Sequence, residues 1–305
     1  MKVSQFLRLY EQGQRDFSNL NLANADLSGV MLIGVKLKGV NLTGANLSRT
    51  FLTKSDLSDA NLNWANLSFA KMSDSKLVKT DLTKANLQGA FMVKSKLPCA
   101  RLSGANLAHT NLRGANLWGV NMCGANLYHI NLRQTNLSGV NFDWASLKEA
   151  RLCDARLYRS SFNHANLSKS LLKDLDFSGM DLSNIDFSNS RLHNSNLEGA
   201  NLEGANLEKA NIKEVNLRGA NLTNTKFFQA TITKSDLTGA IFNKTDFRNT
   251  SVDNSYLNSN SLKNSQTNED TKLSLIAPNN EIENDNQKSV KNWNNISSQW
   301  VFNYS

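Results

Sequence analysis

From Phe17 to Leu262 a large apolar residue returns at every fifth position without one slip of register. The centres run Phe17, Leu22, Leu27, Leu32 and on to Phe247, Val252, Leu257 and Leu262, 50 consecutive five-residue units. Two residues before each centre sits a smaller class, such as Ala25, Val30, Ala45, Thr50, Ser55 and Ala60. A period of five matches neither the 3.6 of an amphipathic helix nor the 2.0 of a half-buried strand. No single helix or sheet can bury such a pattern, so the chain must fold as a stack of repeats.

The runs Ala105-Asn106-Leu107, Ala115-Asn116-Leu117, Ala125-Asn126-Leu127 and Ala205-Asn206-Leu207 resemble the A-(D/N)-L-x-x signature of the pentapeptide-repeat family, over about 80% of the chain. The resemblance implies an all-β solenoid, a right-handed quadrilateral β-helix with four units per coil, one per face, and both apolar slots turned inward. The composition of the slots agrees. Small and large residues suit a narrow interior, and outward Asn, Asp, Ser and Thr can form ladders along the rod. Glycines such as Gly104 and Gly199 fall on a slot where the path must turn. Fifty units over four faces give about 12.5 coils, a rod of roughly 60 Å at ~4.8 Å per strand. Residues twenty apart then stack on one face.

Three segments are expected: 1–16, a capping helix and lead-in; 17–264, the solenoid; and 265–305, a polar and mostly disordered tail ending in an aromatic segment. Val3, Phe6, Leu7 and Tyr10 mark one helical face, with Gly13 as the stop. This opening, with Arg15-Asp16-Phe17 after it, resembles that of cyanobacterial pentapeptide-repeat proteins of the HetL type. The tail has an apolar island at Leu273, Leu275 and Ile276 and closes on Trp293, Trp300, Phe302 and Tyr304. Those aromatics fit either a cap folded over the last coil or a recognition peptide for a partner.

The net charge is +8, and since residues 265–305 hold three Lys against five Asp and Glu, the remainder carries +10. Some pentapeptide-repeat proteins protect DNA gyrase by imitating DNA with an acidic surface, which a basic rod does not suit. Modulation of gyrase or another topoisomerase therefore stands as an alternative. Cys99, Cys123 and Cys153 fall on outward slots of three faces, which argues against disulfides and for a reducing compartment. With no long apolar run and no secretory signal at Met1, a cytoplasmic protein is expected.

On the face of Leu32 and Leu52, Met31, Phe51 and Phe91 fill the slot before the centre, with Lys71 between them, while Ile33 and Val93 fill the slot after it. Across the next edge stand Val78, Pro98, Trp118 and Tyr158, with Lys76 and Lys96 beside them. An apolar patch with a basic rim predicts a site for a protein partner or a second copy of the chain. Interleaved basic and aromatic residues also allow a nucleic-acid or membrane-surface reading. Against nucleic acid, basic residues look scattered over all faces with carboxylates among them. His109 and His129 stack at a corner but lack third and fourth ligands, so no metal or cofactor is expected. A convex rod offers little ground for catalysis, and the expected role is a non-catalytic interaction or scaffold module.

Overall fold

The computed structural model describes residues 1–276. After a short helix, the chain winds as a parallel solenoid in which residues twenty apart are bridged, from Asp16 and Lys36 to Asp246 and Gln266. Four five-residue units therefore make one coil. The faces are numbered here by their first centres, Phe17, Leu22, Leu27 and Leu32.

The backbone of one unit explains its sequence. In the unit of Leu42, the Asn41 N–H donates back to Leu20 O at 2.9 Å, and the N–H groups of Leu42 and Gly44 donate forward to Asn61 O (2.7 Å) and Asn63 O (2.9 Å). Ala45 N–H closes the turn on Leu42 O at 3.0 Å. That leaves the Thr43 N–H, which the Asn41 side chain accepts at 3.1 Å. An Asn or Asp before each centre thus satisfies the one backbone donor that stacking cannot reach. The Asn amide then reaches the preceding coil, and on the third face this builds a ladder from Asn126 through Asn106, Asn86, Asn66 and Asn46 to Asp26.

Inside, the centres and the small residues are buried along almost the whole length, with Leu20, Val30, Met180 and Leu262 only partly so. Aromatic centres stack coil on coil, with ring centroids of Phe142 and Phe162 at 5.0 Å and of Phe227 and Phe247 at 5.1 Å. Thr50, Thr80, Thr110 and Thr225 occupy small slots, and each hydroxyl donates to the carbonyl of a centre in the coil before. Their polarity is thereby neutralised without widening the core.

Helix α1, Val3–Glu11, covers the first coil as expected. Phe6 is fully buried and meets the Phe17 ring edge-on at 4.5 Å, with Val3, Leu7 and Tyr10 packed beside it. The Tyr10 hydroxyl donates to Ile33 O at 3.0 Å. In later coils the equivalent carbonyl is taken by a corner N–H of the coil before, as Thr53 O is by Gly34. Ile33 has no such neighbour, since the Gln14 N–H turns back to Leu9 O, and the tyrosine supplies the missing donor.

Strands β1 (Leu171–Lys173), β2 (Arg191–His193), β3 (Asn211–Lys213), β4 (Thr231–Thr233) and β5 (Ser251–Tyr256) lie in register on the fourth face. Strand β6, Lys272–Ile276, joins β5 with Ser251 opposite Lys272, a step of 21 residues, and regains the step of 20 at Ser255 and Leu275. The apolar island of the expected tail is therefore a solenoid strand, with Leu275 against the core. Its register partners, invisible to a strict five-residue count, carry the solenoid past residue 264. The aromatics Trp293, Trp300, Phe302 and Tyr304 lie outside the described residues.

Candidate interaction surfaces

The apolar residues of the fourth face occupy the slot that elsewhere holds Asn or Asp. Met31, Phe51, Lys71 and Phe91 bridge one another in a column, and none can accept the N–H two residues on. Each forgoes a hydrogen bond of about 1 kcal/mol that the repeat normally makes. In exchange the column exposes rings: Met31 is 60% exposed, Phe51 39% and Phe91 45%. Lys71 Nζ rests 4.4 Å from the Phe91 ring centroid, a cation on an aromatic face.

A residue not picked out by the sequence completes the cluster. Phe69 sits at the corner before this face, with φ +58°, and its ring lies over Gly89. The Arg49 guanidinium is 6.0 Å from its centroid. Gly29, Arg49, Phe51, Phe69 and Lys71 line a shallow hollow of 430 Å³ on the edge between the third and fourth faces. That slot also takes Trp64, Trp144 and His109, so nothing in the sequence sets Phe69 apart.

The residues of the patch expected from the sequence fall on two adjoining faces. Ile33 and Val93 flank the cluster across their own strand, while Trp118 and Tyr158 stand exposed on the first face, Tyr158 under the Arg159 guanidinium at 5.2 Å. Val78 and Pro98 are half-buried, and Lys76 and Lys96 are exposed in the column before them. Pro98 has a purely local reason. It stands two residues after Lys96, where an Asn in place of Lys96 would cap the N–H, and proline has none to cap.

Cations lie on every face, but their mixing with carboxylates is uneven. On the second face, Arg101 stands beside Asp81, Asp143, Asp181 and Glu203 in the two outward slots that flank the centres. On the fourth face the same slots carry Arg113, Arg133, Arg151, Lys173, Arg191 and Lys213 over six successive coils with no carboxylate among them. A second open hollow, of 350 Å³, lies on this stretch between Arg151 and Arg191, with His129, Glu149 and Lys169 at its edge.

At that edge His109 and His129 stack with ring centroids 5.2 Å apart, as expected, and Tyr128 meets His109 edge-on. The Tyr128 hydroxyl donates to Glu149 Oε2 at 2.9 Å, and His129 Nδ1 lies 3.6 Å from the same oxygen. The tyrosine hydrogen bond, helped by Lys169 and His129, holds the Glu149 carboxyl below its ordinary range, and the carboxylate in turn raises the phenol. Among the described residues no group of three or more His, Cys, Asp or Glu is placed to hold a metal. Cys99, Cys123 and Cys153 are unpaired, and no described helix is long and apolar enough to cross a membrane.

The sequence pattern of pentapeptide repeats matches in eight copies between residues 21 and 258. The chain belongs to the pentapeptide-repeat family. As a pentapeptide-repeat protein its solenoid is the right-handed quadrilateral β-helix of that family. Among solved structures it is similar to HetL, a pentapeptide repeat protein involved in heterocyst differentiation regulation from the cyanobacterium Nostoc sp. strain PCC 7120. That match has 31% identity, 80% of this chain and 96% of HetL covered, and a TM-score of 0.42. A pentapeptide repeat protein of the Arabidopsis thaliana thylakoid lumen matches at 25% identity over 31% of this chain and 66% of its own, TM-score 0.30. Trypsin-treated QnrB1, a plasmid-mediated fluoroquinolone resistance protein, matches at 19% identity over 61% and 91%, TM-score 0.34. A search of curated proteins gives no match.

Proposed function

We propose that this pentapeptide-repeat protein is a non-catalytic recognition module that binds a protein partner through the cluster of Phe51, Phe69 and Phe91. The observation that carries the reading is the broken ladder: four successive coils give up the Asn or Asp that their backbone calls for and present Met31, Phe51, Lys71 and Phe91 instead. Aromatic anchors beside Arg49, Lys54, Lys71 and Lys94 suit a partner with an apolar contact ringed by carboxylates. The stacked coils hold these rings in place before binding, so little ordering entropy opposes association. Both hollows are shallow and open, poor ground for excluding water from a reaction. Three unpaired cysteines fit a cytoplasmic setting.

Affinity capture from a native lysate tests this, comparing the wild-type chain with a Phe51→Ser, Phe69→Ser, Phe91→Ser variant and with a Trp118→Ser, Tyr158→Ser variant. The expected result is one acidic prey held by the wild type and by the first-face variant and lost from the triple variant, with circular dichroism unchanged. Prey retained by the triple variant would overturn the assignment.

A further inference from the structure

The cations in the middle of the fourth face form a line. Arg113, Arg133, Arg151, Lys173, Arg191 and Lys213 supply one positive charge per coil, spaced by about 4.8 Å along the rod. Arg113, Arg133, Arg151 and Arg191 lie in no ion pair among the described residues, whereas Lys173 and Lys213 lie 3.3 and 3.9 Å from Asp174 and Glu214. The carboxylates of this stretch, Glu149, Asp154, Asp174 and Glu214, stand at the corners, where Asp174 and Glu214 pair with the two lysines and leave the four arginines as the unneutralised cations of the line.

We propose that this line binds the phosphodiester backbone of single-stranded nucleic acid. Four of the six groups are arginines, whose planar fork pairs with phosphate oxygens in bidentate fashion. The six groups fall in the two columns that flank one strand and together make a narrow stripe along the rod. A duplex backbone winds away from such a stripe and meets it only where a strand crosses, whereas a single strand can straighten and follow it. The hollow between Arg151 and Arg191, with Lys169, Asn189 and the Glu149 carboxylate on its wall, gives room for a phosphate between two guanidiniums two coils apart. The corner carboxylates oppose a flat anionic membrane, which would meet both rails at once, more than a chain one phosphate wide.

Fluorescence anisotropy of a labelled oligothymidylate against the full chain, across a salt series, tests the proposal. Six phosphate contacts predict a slope of log K against log salt near −4, roughly 0.7 per contact for single strands. Arg151→Ser, Lys173→Ser, Arg191→Ser should halve that slope and weaken binding by at least about tenfold. Lys36→Ser, Lys38→Ser, Lys226→Ser removes equal charge from other faces and should change both little. Should the triple variant unfold early, Arg151→Gln, Arg191→Gln is read in its place. Three results would overturn the proposal: no oligonucleotide binding, equal loss in the two triple variants, or tighter binding of duplex, phosphatidylserine vesicles or polyglutamate than of the single strand.

Discussion

The corner slot asks for a left-handed backbone at almost every unit, and residues as large as Trp64, Phe69, Lys84 and Trp144 adopt it with φ near +60°. None of the described residues with positive φ is Val, Ile or Thr, the side chains whose branching at Cβ makes that region costliest. A left-handed corner costs roughly 1–2 kcal/mol, and a buried Leu centre contributes about 1.5–3, so each unit can carry one. Phe69 lies at such a corner with Gly89 beneath its ring. A Cβ at Gly89 would stand 2.6 Å from Phe69 Cε1, at φ +65°. Gly89→Ala should therefore lower stability by about 1–2 kcal/mol and displace the ring, weakening partner capture. Gly124→Ala, with the same φ and nothing within 4 Å of the new atom, should lower stability alike and leave capture intact. Thermal unfolding and capture, run together, check the pair. Phe51 and Phe91 could be found in the sequence because their slot has a strong expectation, Asn or Asp. Phe69 could not, because its slot admits almost any unbranched side chain.

Among the elements, α1 is the one whose local sequence and long-range contacts must agree. Nine residues are too few for a stable helix in water, so its order comes from docking Phe6 on Phe17. Phe6→Ala should cost about 3–5 kcal/mol of that docking, uncover the apolar floor of the first coil and free Ile33 O. End-to-end association by light scattering and early amide exchange in residues 3–11 are the expected readouts; a monodisperse variant with a protected helix would refute the capping role. The helix was legible because a 3.6-residue period stands apart from one of five. β6 was not, because the 21-residue step before Lys272 takes it out of phase and its surroundings are polar. The basic line of the fourth face was hidden differently. Arg113 and Arg133 lie in one column, Arg151 and Arg191 in another, and neither column alone is a run of cations. Only when both are seen to flank the same strand do they become one stripe.

Over the whole molecule, aspartates in the ladder slot recur from end to end. Asp16 and Asp26 accept hydrogen bonds from Ser18 and Ser28, which hold their carboxyls below the ordinary range. At Asp56 and Asp81 burial acts the other way, but bonds from Ser58 and Thr83, with Arg101 beside Asp81, prevail. Asp246 is held down by Arg248. Because the folded values lie below the unfolded one, about 3.9, this stabilisation is complete above that value and is lost as pH falls through the folded values. The melting temperature should stay level from neutral pH to about 5 and drop below about 4; a rise on acidification would contradict the assignment of these bonds. The fold itself follows from period and phase, and the twenty-residue coil has an evolutionary corollary. Duplicating or deleting any twenty residues lengthens or shortens the rod and leaves the aromatic cluster and the basic stripe looking in the same direction. A slip of five residues turns everything beyond it by a quarter turn and sends the two to different sides. Lineages of this protein are free to drift in length, then, but each surface binds its descendants to a fixed compass bearing.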